Sequence, residues 1–326
     1  MKEVVASAPC KTILFGEHAV VYGYPAIATA INLRIRTKIR KISGELIIHS
    51  RDLKVTWKRN QSVPKEFLPI CKVIEEISDL IDQKPLNGMH IEIFSDVPPS
   101  CGLGTSAATA VSVITAMLEF LEINYDKNFI NKLAFEAEKI SHGTPSGIDN
   151  TVATFGGLIR YVKRNSGPNI ERSKYTPEFT LILADSGLPR STKHAVKNVA
   201  ILREHFPRVI DDIFSIMGKI SDEAWTLLSK AGENLRTIGH LMNINHGLLD
   251  AIGVNLPELE TLVNIARKNG ALGAKITGAG LGGFIIALAE SAAVHKIHSA
   301  IKNYARLVLI AKPDNMGCIV ESKVKT

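Results

Sequence analysis

β-Branched residues run through VVASAP, KTILFG and AIATAINLRIRTKIRKI, and these segments are read as strands. In the third, Arg34, Arg36, Lys38 and Arg40 share one parity, so a strand carries them on one basic, solvated face. LKVTWKR alternates as well, with Leu53, Val55 and Trp57 on one side, and Trp57 is expected in the core. Ile70, Ile74, Ile77 and Ile81 fall at helical spacing, which predicts a helix over 68–82. A strand, HIEIF, leads through Pro98 and Pro99 into CGLGTSAA, and an apolar helix follows to about Ile123. Asp126 or Asn128 caps the next helix, which aligns Ile130, Leu133, Ala137 and Ile140. HGTPSG turns into a further helix that begins near Ser146. The polar stretch 163–178, KRNSGPNIERSKYTPE, is the expected boundary between two domains, 1–170 and 171–326. Beyond it come a strand (FTLILAD), several amphipathic helices, and AKIT and FIIALAE joined by GAGLGG. A last helix and strands near RLVLIA and GCIVES follow. Strands and helices mix in both halves, so the expected class is α+β.

Composition narrows the picture only a little. At roughly 150 residues per domain, 326 residues suggest two domains. A chain with 45% hydrophobic and 22% charged residues has enough apolar side chain for a sizeable core. The formal charge of +7 suits an anionic ligand as well as nucleic acid. Cys10, Cys71, Cys101 and Cys318 form no CxxC pair, so neither a disulfide framework nor a structural zinc is expected. Glu119 and Glu290 interrupt the longest apolar stretches, and Glu3, Pro9 and Lys11 break any signal-peptide core. A cytoplasmic protein that binds no membrane is expected.

Four segments could carry chemistry. In PPSCGLGTSAATAV, Gly102 and Gly104 permit close backbone approach, and Thr105 and Ser106 stand where a helix starts. Free amides there suit phosphate, and the Ser106 hydroxyl could ligate Mg²⁺. A plain glycine turn with a Ser or Thr cap explains the same residues. Gly278, Gly280 and Gly283 match GxGxxG, but they join two strands, which removes a dinucleotide fold, although the loop could still bring backbone amides to a phosphate. In EAEKISHGTPSGIDN, Glu138 closes one helix and Asp149 opens the next, so one carboxylate could hold a metal while the other accepts a proton. On these residues alone Ser146-Gly-Ile-Asp149 is better read as a capping box, with Asp149 at its third helical position. Lys11 with Glu17 and His18 of GEHAVVYG forms a polar cluster near the N-terminus.

Taken together, GEHAVVYG, PPSCGLGTSAA, HGTPSGIDN, NHGLLDAIGV and KITGAGLGG occur in an order that resembles the GHMP kinases over nearly the whole chain. The resemblance implies a two-domain α+β fold, with an N-terminal domain like domain 2 of ribosomal protein S5 and a ferredoxin-like C-terminal domain. It implies ATP bound by Pro99, Ser100, Cys101, Gly102, Leu103, Gly104, Thr105, Ser106 and Ala107, and Mg²⁺ held by Ser106 and Glu138. Asp149 matches the catalytic aspartate and Lys11 the lysine beside it. This outweighs the capping-box reading, although Asp149 could do both. Glu17, His18, Arg190 and Thr192 match positions that face the acceptor. Leu281 departs from the commoner GAGGGG, which weakens the claim that this loop touches phosphate.

The activity so implied is ATP- and Mg²⁺-dependent phosphorylation of the C5 hydroxyl of (R)-mevalonate, a step of isoprenoid biosynthesis, by a homodimer. The rivals are another small-molecule kinase of the family, first one acting on phosphomevalonate, and a non-catalytic ATP-binding regulator. Retention of Lys11, Glu138 and Asp149 together argues against the regulator. An S5-like nucleic-acid binder needs a contiguous basic and aromatic surface that the sequence does not offer.

Overall fold

The computed structural model describes residues 2–81, 86–99, 101–143, 145–164, 167–189, 191–230 and 235–324. Two compact units emerge, and each is assembled from separate stretches of chain. The first comprises 1–11, 30–156 and 314–326, and the second 12–29 and 157–313. The expected single cut at 170/171 does not describe them. The reason lies in the first two strands, β1 (Glu3–Phe15) and β2 (Ala26–Lys41), each of which begins in one unit and ends in the other.

In the first unit a mixed sheet runs in the order β12 (Ile319–Val324), β1, β2, β5 (Met89–Ser95), β3 (Ile47–Ser50), β4 (Val55–Lys58). VVASAP and KTILFG are one continuous strand and not two. A register shift between Val5 and Ala6 absorbs the irregularity, and Pro9 lies past the β12 ladder, which ends at Ser7. Helices α1 (Leu68–Leu80), α2 (Thr105–Phe120), α3 (Lys127–His142) and α4 (Ile148–Phe155) pack with one another. Almost every residue of α2 from Ala107 to Leu118 is buried, as expected for a helix that is apolar all round. Asp126 caps α3 by accepting from the Phe129 amide at 2.8 Å. Ile130, Leu133 and Ala137 are buried as the stripe predicts, whereas Ile140 is 50% exposed. Trp57 is buried and Leu53 exposed.

The basic face of β2 is paired rather than bare. Arg36 binds Asp96 at 2.7 Å and Glu321 at 3.1 Å, and Lys38 binds Glu3 at 2.8 Å. Such surface pairs contribute little stability individually. Arg34 breaks the expected pattern, being 6% exposed despite sharing the parity. Its guanidinium bonds Ser7 Oγ at 2.8 Å, the Gly317 carbonyl at 2.6 Å and the Asp314 carboxylate, so the returning C-terminal segment covers it.

The second unit is built on an antiparallel sheet ordered β11 (Leu307–Ala311), β8 (Thr180–Asp185), β10 (Phe284–Ala289), β9 (Gly273–Ile276). Every residue of β8, β9 and β10 is buried. α8 (Pro257–Lys268) and α9 (Ser291–Ile301) pack on this sheet, and α7 (Leu235–Ala251) lies along β9. α5 (Thr192–His205) and α6 (Pro207–Leu228) add Val199, Ile210 and Phe214 to the core. Part of the polar stretch expected to be a linker lies in two antiparallel paired strands, β6 (Leu158–Arg164) and β7 (Gly167–Arg172), and β6 also pairs with Ala26–Thr29 of β2. No helix among the described residues is long and apolar enough to cross a membrane.

Candidate active site

In the first unit, the glycine-rich loop delivers the chain to the N-terminus of α2. Gly104 occupies the cap position at φ 72°, and no side chain caps the first turn. The alternative of a simple Ser or Thr cap is therefore not realised, and the first amides of α2 have no side-chain acceptor of that kind. The side chains of Cys101, Leu103 and Ala107 are buried, so any part they play is through the backbone. The Leu103 carbonyl accepts from the Lys11 amide at 2.8 Å, which docks the loop against β1. Ser100 lies outside the described residues.

Lys11 Nζ sits 3.0 Å from Asp149 Oδ1, and the two side chains are 11% and 33% exposed. A β-carbon on Gly104 would stand 2.8 Å from Lys11 Cγ and 3.6 Å from Asp149 Oδ2. Only glycine lets the loop pass this close to the pair, and the left-handed φ demands it again. The capping box is absent. Gly147, at φ 83°, caps α4 without a side-chain bond, and the Asp149 carboxylate engages Lys11. Asn150 holds the start of α4 to α3 by donating to Asn131 Oδ1 at 2.7 Å.

Ser106 and Glu138 also come together. Ser106 Oγ donates to Glu138 Oε1 at 2.9 Å, and Glu138 is 4% exposed. The described residues hold no cluster of three His, Cys, Asp or Glu suited to a metal. A hydroxyl and a carboxylate are hard oxygen donors of the kind Mg²⁺ takes when phosphate and water fill its remaining positions. The pair fits that ion.

Beside this loop opens a cavity of about 670 Å³, of a size that suits a small-molecule ligand. Pro99, Thr105 and Ser106 line one side, and Leu53, Phe67 and Ile140 contribute apolar wall. This explains the exposure of Ile140. Sequence reasoning does not find this pocket, because its wall is gathered from β2, β5, the segment 50–53, α1, α2 and α3, and no local spacing marks it.

In the second unit, Glu17 and His18 are buried, at 2% and 5% exposure. Glu17 Oε1 pairs with Lys275 Nζ, and Oε2 accepts from Asn245 Nδ2 at 3.1 Å. His18, at φ 60°, places Nε2 2.8 Å from the carbonyl of Ala279 in the Gly278–Gly283 loop. Burial lowers the pKa of His18, which favours the neutral ring. Donation from Nε2 then leaves Nδ1 as the acceptor. Thr192 is the exposed first residue of α5, capped by Ser191. Arg190 lies outside the described residues.

Residues 69–157 match the GHMP kinases N terminal domain and residues 226–307 the GHMP kinases C terminal domain. The chain belongs to the GHMP kinase family. Among GHMP kinases it is similar to the mevalonate kinase of Thermococcus gammatolerans, with 40% identity over 88% of this chain and 89% of that one. The mevalonate kinase of Pyrococcus horikoshii is 37% identical over 98% of both chains. The crystal structure of L. major mevalonate kinase in complex with R-mevalonate superposes with a TM-score of 0.81 at 30% identity, over 95% of each chain.

Proposed function

We propose that this GHMP kinase transfers the γ-phosphoryl group of ATP to the C5 hydroxyl of (R)-mevalonate. The observation that carries the reading is the Lys11–Asp149 pair, held at 3.0 Å against a glycine-rich helix start. Phosphoryl transfer requires positioning and charge stabilisation more than covalent help from the protein. The α2 amides receive phosphate oxygens, aided by the positive end of the helix dipole. The cavity lined by Leu53, Phe67 and Ile140 takes the flat, apolar faces of the base.

Asp149 accepts the proton of the attacking hydroxyl at a carboxylate oxygen, and Lys11 stabilises the anion that must do so. The same ammonium offsets charge on the moving phosphoryl group. Ser106 and Glu138 would hold Mg²⁺, which when bound would neutralise charge on the phosphates. Mevalonate is preferred as acceptor because relatives that align over nearly the whole chain bear that enzyme's name. The test supplies Mg²⁺-ATP with mevalonate or phosphomevalonate and identifies the product by mass. Formation of 5-phosphomevalonate from mevalonate is expected. Faster turnover of phosphomevalonate would refute the acceptor assignment.

A further inference from the structure

Lys275 is the one residue of β9 that a buried strand should not contain. Its neighbours Ala274 and Ile276 are fully buried, and its own side chain has no exposed surface. The charge is satisfied inside the unit by Glu17 Oε1 and by the Ile276 carbonyl, 2.6 Å from Nζ. Asn245 of α7 takes the other oxygen of Glu17. Burial lowers the pKa of Lys275 while Glu17 opposes the shift.

A buried ion pair is a poor source of stability, since an apolar pair of equal volume often serves a core as well or better. What a charged pair supplies is direction. Here its two ends lie next to two turns. Glu17 precedes His18, a non-glycine residue in the left-handed region, and Lys275 lies three residues before Gly278. The turns are tied again at His18 Nε2 to the Ala279 carbonyl, and at Thr277 Oγ1, which is 3.0 Å from Thr12 Oγ1 and donates to the Ile13 carbonyl at 2.8 Å. Leu281, also left-handed, is pinned through its amide to the Val254 carbonyl at 2.8 Å. With both carboxylate oxygens engaged and 2% exposure, Glu17 is not presented to a ligand in this arrangement.

We propose that Lys275 is a positioning residue for phosphoryl transfer: through Glu17 it fixes the 16–18 turn, and through that turn the His18 clamp on the Gly278–Gly283 loop. Asn245 is the third member of the same device. The proposal rests on the kinase reading above and on the family resemblance by which Glu17 and His18 match positions that face the acceptor. Glu17 accordingly acts on the acceptor indirectly, by orienting His18 and the loop.

The experiment compares the parent enzyme with Lys275→Met, Glu17→Gln and the double variant Lys275→Met/Glu17→Gln, with mevalonate and ATP varied separately and thermal melts run alongside. The double variant leaves no unpaired buried charge, so it decides the matter if Lys275→Met does not fold. The expected result is a loss of about 10–100-fold in acceptor kcat/KM, the scale of a misplacement near one ångström. The KM for ATP should stay within about twofold, since the residues proposed to bind it belong to the other compact unit. The effects of the two single changes should not add. A folded double variant with parental acceptor kcat/KM overturns the proposal, and so does equal weakening of both substrates. Failure of both Lys275→Met and the double variant to fold also overturns it, because the pair is then a plain core element. A parent enzyme that does not phosphorylate mevalonate refutes the kinase assignment itself, whereas an active parent with unaffected variants refutes the positioning role alone.

Discussion

Asp149→Asn separates a catalytic carboxylate from a structural one, and the structure sets the size of each effect. Helix capping contributes nothing to the comparison, since Gly147 occupies the cap position of α4 and no side chain caps that end. What the substitution removes is the charge opposite Lys11, a side chain 11% exposed that stays behind with only an amide oxygen to bond. Losing the charge-assisted part of one such contact costs ~1–2 kcal/mol. The thermal midpoint should then fall by about 2–6 °C, with the fold retained. Turnover should fall much further, by roughly 10²–10⁴-fold in kcat, with the KM for ATP nearly unchanged. Lys11→Met should reduce kcat in the same direction, and combining the two should cost far less than the product of the single losses, because the groups act as one unit. The assay is steady-state kinetics on the three variants, with melts on the same preparations. A folded Asp149→Asn enzyme that keeps more than about a tenth of parental kcat would refute the proton-acceptor role.

Ser106→Ala and Glu138→Gln should each raise the Mg²⁺ concentration needed for half-maximal rate without changing the fold, and titration curves that overlay the parent's would remove both residues from the metal site. Gly104→Ala places a β-carbon 2.8 Å from Lys11 Cγ at φ 72°, so it should cost ~1–2 kcal/mol in backbone strain and lower kcat about tenfold or more by displacing Lys11. Parental kcat in that folded variant defeats the argument. Burial lowers the pKa of His18 and His246 below the ordinary 6.5, so the unfolded chain binds more protons in mildly acidic solution. The stability they contribute is present above 6.5 and is lost as pH falls through the lowered folded values. The melting midpoint should therefore drop between pH 7.5 and 5.5, less steeply in His246→Asn, and an equally steep drop in that variant counts against the linkage.

Periodicity makes the helices of the first unit legible, and motif order makes Lys11, Ser106, Glu138 and Asp149 legible as a set. Other features resist for definite physical reasons. Residues 163–172 read as a linker because they are largely polar, while the pairing of the buried start of β6 with Ala26–Thr29 is invisible to any local window. Asp149 reads as the third helical residue of a capping box begun by Ser146, but the left-handed Gly147 takes the cap position instead of Ser146. Arg34 reads as one of four surface cations, and its burial depends on Asp314, 280 residues away. Lys275 had a usable signal, a lone charge in an apolar strand, but its partner Glu17 is 258 residues distant.

The return of the C-terminal segment to β1 bears on how this protein is made. A ribosome synthesises Arg34 280 residues before Asp314, and β1 before β12 by a still longer interval. Throughout that interval β1 lacks one of its two sheet neighbours and Arg34 lacks its counter-ion, so the first unit is unfinished when the second already has every residue up to Pro313. The nascent chain thus carries an open strand edge of the kind that invites wrong partners. Maturation of the first unit therefore waits until residues 314–324 are made, and a chaperone that shields the open edge would act before that point.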